Sequence, residues 1–266
     1  METKLDQFDK NLLRLLLSDS TMSVTSLGKK IRLGRDNVNY KLKRLLESGI
    51  IKDFTTEFNE KALGIKHYVF FAQLIKLKQD TEKDIVHYLK QHPYISWIGT
   101  AAGKWTLIFD IYLPEEVELA KMRSELLSKF GLHIEEYTIL ELEQGRYFFE
   151  KFISQKLIST ISKKKITSPK KLDSIDYQIM SLLNKNSRIN YAELSQEIGL
   201  TANGIKNRIK ELENGNIIQK YSLTLDFKKF GYEWYGIQLK LTQFDQETIN
   251  QIQQFFKNHP KVIFDY

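Results

Sequence analysis

The sequence predicts a mixed α/β protein built from a duplicated unit, in which a group of helices is followed by alternating strands and helices. The first observation is internal repetition: at a fixed offset of 167 residues, 24 of 96 aligned positions are identical without a gap. The second is periodicity, because apolar residues in both copies first recur at helical spacing and then alternate as in strands. A repeat of this length is a compound unit and not one turn of a solenoid.

The composition is that of a globular protein and excludes several other classes. The 266 residues are 42% hydrophobic and 12% aromatic, which is enough for packed cores. The absence of cysteine excludes disulfide scaffolds, thiol nucleophiles and thiolate metal sites. No apolar run approaches the roughly 18 residues of a membrane span, and the charged start Met1–Lys10 lacks the apolar core of a secretory signal. We therefore expect a cytoplasmic protein with no membrane partner.

The second copy begins with two helices that have clear start signals. Ile175, Ile179 and Leu182 recur at helical spacing behind Asp173, a residue type that caps helix N-termini. Asn190 is the corresponding cap of a short helix that we predict over the following eight residues.

A tight turn and a third helix follow in the second copy. Gly199 suits the left-handed conformation that ends a helix, and Thr201 suits the cap of the next one. That helix is predicted over Ala202–Glu213 and is broken by Asn214-Gly215-Asn216, after which an alternating strand runs to Leu225. A helix, a short helix, a tight turn, a helix and a hairpin make a winged helix-turn-helix, whose last helix enters the DNA major groove.

The first copy repeats this order with a less favourable turn. Helices are predicted over Val24–Ile31 and Arg35–Ser48. Arg32 and Gly34 stand where the second copy has glycine and threonine. An arginine in the left-handed region costs on the order of 1 kcal/mol, and glycine offers no side-chain oxygen for a cap. The second copy has its own flaw, because Gly204 inside its third helix costs roughly 1 kcal/mol against alanine.

The outward faces of the two third helices are the candidate DNA-reading surfaces. Asparagine can bond adenine with two hydrogen bonds, and lysine can bond guanine or phosphate. Lys41 and Arg208 lie toward the scaffold side, where phosphate contacts are expected. The alternative interpretation is an ordinary solvated helix face. The candidate DNA-binding residues are Arg35, Asp36, Asn37, Asn39, Tyr40, Lys41, Lys43 and Arg44 in the first copy, and Thr201, Asn203, Lys206, Asn207, Arg208 and Lys210 in the second.

A basic segment lies between the copies. Residues 151–171 carry seven lysines and no acidic residue, which equals the net charge of +7 of the whole chain. We predict an amphipathic helix at the start of the linker 146–171, followed by a lysine run. Lys163, Lys164 and Lys165 are candidate phosphate contacts, and a solvated linker is the alternative.

The order and spacing of these motifs resemble a known family. Leu172-Asp173-x-x-Asp176, Ile198-Gly199-Leu200-Thr201, Arg208-Ile209 and Asn216-Ile217-Ile218 are similar to the N-terminal domain of leucine-responsive regulatory protein/AsnC-type (Lrp/AsnC) transcription regulators. The resemblance extends over one complete unit and the beginning of a second. It implies that a small βαββαβ domain follows, which dimerises and often senses an amino acid.

The pattern of apolar residues and turns after the first helix-turn-helix predicts this ferredoxin-like βαββαβ domain independently of the resemblance. An apolar face that two helices leave uncovered on such a sheet normally finds a partner, so we expect a homo-oligomer. The predicted elements are a strand at Tyr68–Leu77, a helix at Glu82–Gln91, strands at Ile95–Gly99 and Trp105–Tyr112, a helix at Glu115–Phe130 and a strand at Ile134–Leu142.

One loop of this domain departs from the family pattern. The resemblance implies acidic residues beside a glycine turn that hold the amino group of an effector, but Ala102-Gly103-Lys104-Trp105-Thr106 has none. A cation repels an ammonium group. Gly103, Lys104 and Thr106 are thus the candidate contacts of an acidic or other small-molecule effector, and a plain β-turn is the alternative.

The domain organisation follows from the repeat. We predict a winged helix-turn-helix at 1–63, a βαββαβ domain at 64–145, the basic linker at 146–171, a second winged helix-turn-helix at 172–231 and a partial βαβ unit at 232–266. We expect the second sheet domain to be truncated, because Tyr266 aligns with Gly99 of the first copy.

The motifs favour a DNA-binding transcription regulator that binds double-stranded DNA over an enzyme. The five histidines lack metal-ligand spacing, and no glycine-rich phosphate loop or nucleophile elbow occurs, so no cofactor or metal is expected. Two alternatives stay open. One is an architectural protein that coats DNA, and the other is an enzyme similar to the haem-pathway decarboxylases that share this arrangement. Because the two reading faces differ, we expect an asymmetric DNA site and not a palindrome.

Overall fold

The computed structural model describes residues 5–75, 79–142, 146–147, 172–233, 235–242 and 245–265. The predicted linker helix is wrong at its start, because Arg146–Tyr147 form a short strand. The rest of that helix and the predicted Lys163–Lys165 run lie outside the described residues. The chain divides into two compact units, one from Met1–Asn59 with Arg146–Asp265 and one within Glu60–Gly145. The first unit therefore contains both helix-turn-helix copies, and the domain boundaries predicted from the sequence stay predictions.

The elements of the described residues alternate largely as the repeat predicts. The helices are α1 (Gln7–Ser18), α2 (Val24–Ile31), α3 (Arg35–Glu47), α4 (Gln79–Gln91), α5 (Leu119–Phe130), α6 (Ser174–Lys185), α7 (Tyr191–Ile198), α8 (Ala202–Asn214) and α9 (Gln246–Asn258). The strands are β1 (Ile51–Phe58), β2 (Ile65–Leu74), β3 (Ile95–Thr100), β4 (Leu107–Pro114), β5 (Ile134–Leu142), β6 (Arg146–Tyr147), β7 (Ile218–Leu225) and β8 (Phe264–Asp265).

The helix starts confirm the capping predictions. Asp173 caps α6 in a capping box, and the Asn190 side chain accepts from the backbone N–H of Glu193 at the start of α7. Thr201 caps α8, whereas Gly34 gives α3 no side-chain cap. Arg32 adopts the left-handed conformation with φ 60°, as its place in the turn requires.

The strand that follows each helix-turn-helix pairs with its counterpart in the other copy. β1 and β7 run antiparallel, so the hairpin expected within each copy is replaced by a ladder between copies. Thr55 lies opposite Ser222, its own counterpart in the repeat. The pairing is unchanged when the two copies are exchanged, and it therefore defines a local pseudo-two-fold axis. The paired residues are Ile51–Leu225, Asp53–Thr224, Phe54–Leu223, Thr55–Ser222, Thr56–Tyr221, Glu57–Lys220 and Phe58–Ile218.

Polar contacts at this axis obey the same symmetry. The hydroxyls of Ser20 and Ser187 lie 2.6 Å apart, and both side chains are buried. The backbone N–H of Ser20 donates to the carbonyl of Tyr221, and that of Ser187 donates to the carbonyl of Phe54, each at 3.0 Å. Arg188 adds an asymmetric contact, because its guanidinium donates to carbonyls of the first copy.

The cores of the two copies share side chains across the ladder. Leu223 and Leu225 from β7 belong to the buried cluster formed by α1, α2 and α3 of the first copy. They pack with residues such as Leu12 and Leu16, which are fully buried. The first helix-turn-helix thus depends on the strand of the second for part of its apolar contacts.

The second unit is a four-stranded antiparallel sheet with strand order β3-β4-β2-β5, and α4 and α5 pack on one face. This is the predicted ferredoxin-like arrangement. Phe70 lies at its centre and stacks on Phe109 and Tyr137 with ring centroids 4.7 and 5.3 Å apart. β5 has the predicted bounds. β2 begins three residues earlier than predicted, and the predicted helix start at Glu115 is wrong because a turn precedes α5.

The remainder of the second copy is only partly regular. The predicted helix is present as α9, but residues 235–242, which align with β2, form no strand. β2 lies between β4 and β5, whose counterparts at the repeat offset would fall after residue 266. Within this segment, Tyr235 and Ile237 are 79% and 82% exposed.

Candidate nucleic-acid interface

The outward face of α3 is polar and open to solvent. Arg35, Asp36, Asn37, Asn39 and Lys43 are all exposed, as the helical periodicity from buried Val38 predicts. Tyr40 is 66% exposed on the same face. These side chains are brought together on one surface that could face base edges.

The outward face of α8 is built in the same way. Asn203, Lys206, Asn207 and Lys210 are exposed, whereas Ile205, Ile209 and Leu212 are buried. The Thr201 hydroxyl accepts from the backbone N–H of Gly204 at 3.1 Å and so fixes the helix start. The helix therefore presents two asparagines and two lysines from one rigid segment.

Three of the candidate cations hold the recognition helices in place. Lys41 Nζ lies 2.6 Å from Asp6 Oδ2 and 3.1 Å from Asp9 Oδ1, and Arg44 also bonds the fully buried Asp9. In the second copy, Arg208 Nη1 lies 2.8 Å from Asp173 Oδ2 and 2.9 Å from Asp176 Oδ1. These pairs tie α3 to α1 and α8 to α6, so the three cations orient the exposed faces.

Sequence reasoning missed the buried partners of these cations. Asp176 belongs to the motif that carries the family resemblance, and Asp9 is its counterpart in the first copy, but neither is predicted from the sequence as an ion-pair partner. The signal was present in the repeat, since both copies keep an aspartate at this position and a cation at the position of Lys41 and Arg208. A charged residue retained at a helical position that faces apolar neighbours indicates a buried pair.

The Asp6 ion pair makes stability depend on pH. The ammonium of Lys41 lowers the pKa of Asp6 from 3.8 to about 2. A carboxylate with a depressed pKa stabilises the fold above its unfolded-state pKa, and this contribution is lost as the pH falls toward the folded-state value. We expect Asp6→Asn to be less stable than the parent at pH 5 and the difference to shrink between pH 4 and 2. Denaturant unfolding at each pH measures it, and a constant difference down to pH 2 would contradict the assignment.

The Lys104 and Thr106 side chains of the candidate effector loop form contacts within the sheet unit. Lys104 Nζ lies 2.7 Å from Glu136 Oε1 and 4.6 Å from the Trp105 ring centroid. The Thr106 hydroxyl accepts from the backbone N–H of Leu74 at 2.9 Å, and Gly103 is exposed with φ 138°. Glu136, which sequence reasoning did not connect with this loop, neutralises the cation that was expected to repel an ammonium group.

Comparison with known proteins agrees with this geometry. A winged helix-turn-helix DNA-binding family model matches residues 5–52 and 172–219, one match in each copy. The transcriptional regulator LrpB of Bacillus subtilis is 44% identical over 63 residues, which are 24% of this chain and 42% of LrpB. An uncharacterised HTH-type transcriptional regulator of Pyrococcus furiosus is 32% identical over 130 residues, or 48% of this chain and 85% of that regulator.

A solved structure is similar over more of the chain but is remote in sequence. The siroheme decarboxylase NirDL superposes with a TM-score of 0.57 at 14% identity, covering 82% of this chain and 65% of that protein. This likeness shows a shared fold. Within the described residues, no helix is long and apolar enough to cross a bilayer, and no three metal-ligating side chains cluster. From the two helix-turn-helix matches and the extent of the Pyrococcus match, the chain belongs to the Lrp/AsnC family of DNA-binding transcription regulators.

Proposed function

We propose that the protein is a sequence-specific transcription regulator whose single chain applies two non-identical reading helices to one DNA duplex. The observation that carries the proposal is the β1–β7 ladder, because it joins both helix-turn-helix copies in one unit while α3 and α8 stay exposed. In this fold the last helix reads the major groove, and two-fold-related copies bind two half-sites.

The two reading faces differ in chemistry at corresponding positions. Asn39 corresponds to Lys206, and Tyr40 corresponds to Asn207, whereas Lys43 and Lys210 match. Asparagine favours adenine and lysine favours guanine or phosphate. The protein therefore prefers two unlike half-sites, about one helical turn or a multiple of it apart.

Binding of the purified full chain to DNA tests this function. Labelled genomic fragments and random duplex are compared at two salt concentrations, followed by footprinting. Tight binding to a few fragments with two unlike protected half-sites supports the proposal. Equal, steeply salt-dependent binding to all duplexes indicates the architectural alternative, and protection of a perfect inverted repeat contradicts the unlike half-sites. No binding at all overturns the proposal and makes the decarboxylase-like alternative the next to test.

Replacing Asn207 with alanine is expected to relax base preference at one position of the site. Loss of a two-bond contact to adenine costs about 1–3 kcal/mol of discrimination, or roughly 5- to 150-fold. Competition binding with single-base variants of the selected site measures it. Asn214→Ala, at the exposed end of α8, is the matched control and leaves the preference unchanged. A uniform loss of affinity for all site variants would instead assign Asn207 to phosphate contact.

The sheet unit supports self-association as a further part of the proposal. Trp97 and Leu140, on strands of the sheet face opposite α4 and α5, are 52% and 37% exposed, which fits a homo-oligomer formed through this face. Sedimentation of the full chain tests it.

A small-molecule effector at Gly103, Lys104 and Thr106 is the remaining part of the proposal. It would have to compete with the Lys104–Glu136 pair. Thermal shift with amino acids and dicarboxylates, with Lys104→Gln as control, tests that site.

A further inference from the structure

We propose that the two halves of the DNA-binding unit bind the phosphate backbone unequally, with Lys29, Lys30 and Arg32 of the first copy supplying contacts that the second copy lacks. This assignment rests on the proposed function. The cluster lies at the end of α2 and in the turn before α3, apart from the exposed faces of the recognition helices.

The charge difference between the copies is large at this place. From Val24 to Arg35 the first copy has four basic residues and no acidic residue. The corresponding stretch of the second copy, Tyr191 to Ala202, has two acidic residues and no basic residue. The counterparts of Lys29, Lys30, Arg32 and Arg35 are Gln196, Glu197, Gly199 and Ala202.

The four basic residues of the Val24–Arg35 stretch are available to a ligand. Lys29, Lys30, Arg32 and Arg35 are exposed. Among the residues that the structure describes, none of the four forms an ion pair with a carboxylate. This contrasts with Lys41 and the other inner cations, which are paired.

The backbone at Arg32 gives a second, independent observation. Its φ of 60° lies in the left-handed region, where the second copy has Gly199 at φ 78°. Glycine adopts this conformation without steric cost, whereas a side chain is strained there. Residues held in such conformations cluster at functional sites. The first copy therefore keeps a guanidinium at a position where folding alone favours glycine.

The position of the cluster fits phosphate and not base contact. In a helix-turn-helix the first helix of the pair crosses the DNA backbone, while the start of the second enters the groove. Lys29 and Lys30 lie in the last turn of α2. Contacts to phosphate position a protein without reading sequence, and each one neutralised contributes about 0.9 to the slope of log affinity against log salt. The first copy thus anchors the complex, and the second reads its half-site with less electrostatic support.

The test gives the first copy, in the full chain, the second copy's residues at these three positions. The variant carries Lys29→Gln, Lys30→Glu and Arg32→Gly, and its probe is a duplex selected by the parent protein. Lys83→Gln, Lys90→Gln and Lys121→Gln, three exposed positions of the sheet unit, form the control. Arg32→Gly alone is made as well, because its thermal unfolding midpoint should not fall if the strain argument is correct.

We expect the first-copy variant to lose at least about tenfold in affinity near 0.15 M salt and about 2 to 3 in salt slope, with the control close to the parent. In hydroxyl-radical footprints of the parent protein at rising salt, protection of the half-site bound by the second copy should disappear before protection of the half-site bound by the first copy. Equal slopes in the variant and the control, or simultaneous loss of both half-sites, would overturn the assignment. Failure of the parent to bind any duplex would overturn the proposed function itself and, with it, this assignment.

Discussion

Replacing Asp9 with asparagine is expected to lower the free energy of unfolding of the helix-turn-helix unit by about 3 kcal/mol. The Asp9 carboxylate is fully buried, bonds Lys41 and Arg44, and accepts the backbone N–H of Asp6 at 2.9 Å in the capping box of α1. An amide keeps one acceptor oxygen but not the charge. The two cations would lose their shared counterion, and the loss stays near the lower end of the usual 3–5 kcal/mol because both retain some contact with water.

Urea unfolding followed by helix signal measures this change. Asp36→Asn is the matched control, since Asp36 is exposed on α3 and such substitutions usually change stability by less than about 0.5 kcal/mol. A loss below about 1 kcal/mol for Asp9→Asn would show that the pair contributes little beyond its desolvation cost.

Replacing Leu223 with alanine is expected to lower the free energy of unfolding by about 2–5 kcal/mol, through lost burial and the cavity left behind. Leu223 is 4% exposed and belongs to the buried cluster of the first copy although it lies on the strand of the second. The local loss of stability should therefore appear in the first copy, although the substituted residue lies on the strand of the second. Amide hydrogen exchange in α1 should accelerate, because α1 packs against β7.

Leu132→Ala, at a leucine that is 91% exposed in the sheet unit, is the control and should leave both stability and exchange unchanged. Accelerated exchange confined to the second copy would contradict the shared core. Hydrogen exchange that shows α1 and α6 of the parent protein opening in separate steps would also contradict it, because the shared cluster predicts that the two copies unfold together.

Local signals predicted most of the helices and their ends. Capping residues such as Asp173 and Thr201 act within a few residues of the chain, so their effect is readable without tertiary structure. The partner of a strand is not local. The apolar alternation before Leu225 predicted a strand correctly, but nothing within the same copy shows that its ladder forms with β1. The predicted hairpin was therefore wrong.

The features of the candidate site likewise divide into those that local sequence predicts and those that depend on residues distant in the chain. Exposure of Asn39, Tyr40 and Asn207 follows from helical periodicity alone, because the buried positions of the same helix fix its outward face. The roles of Lys41 and Arg208 depend on carboxylates that lie 32 or more residues away in the chain. Distant pairings of this kind need the folded coordinates, and the same is true of the Lys104–Glu136 pair.

The hydrogen bond between Ser20 and Ser187 marks where two halves of one polypeptide meet as two subunits would. Pairing of separate subunits weakens on dilution, whereas pairing within one chain does not depend on the protein concentration. A chain built this way keeps its two helix-turn-helix copies paired even at a few copies per cell. Two copies within one chain can also differ in sequence, unlike the identical subunits of a homodimer. One copy can therefore specialise in phosphate contacts and the other in base contacts.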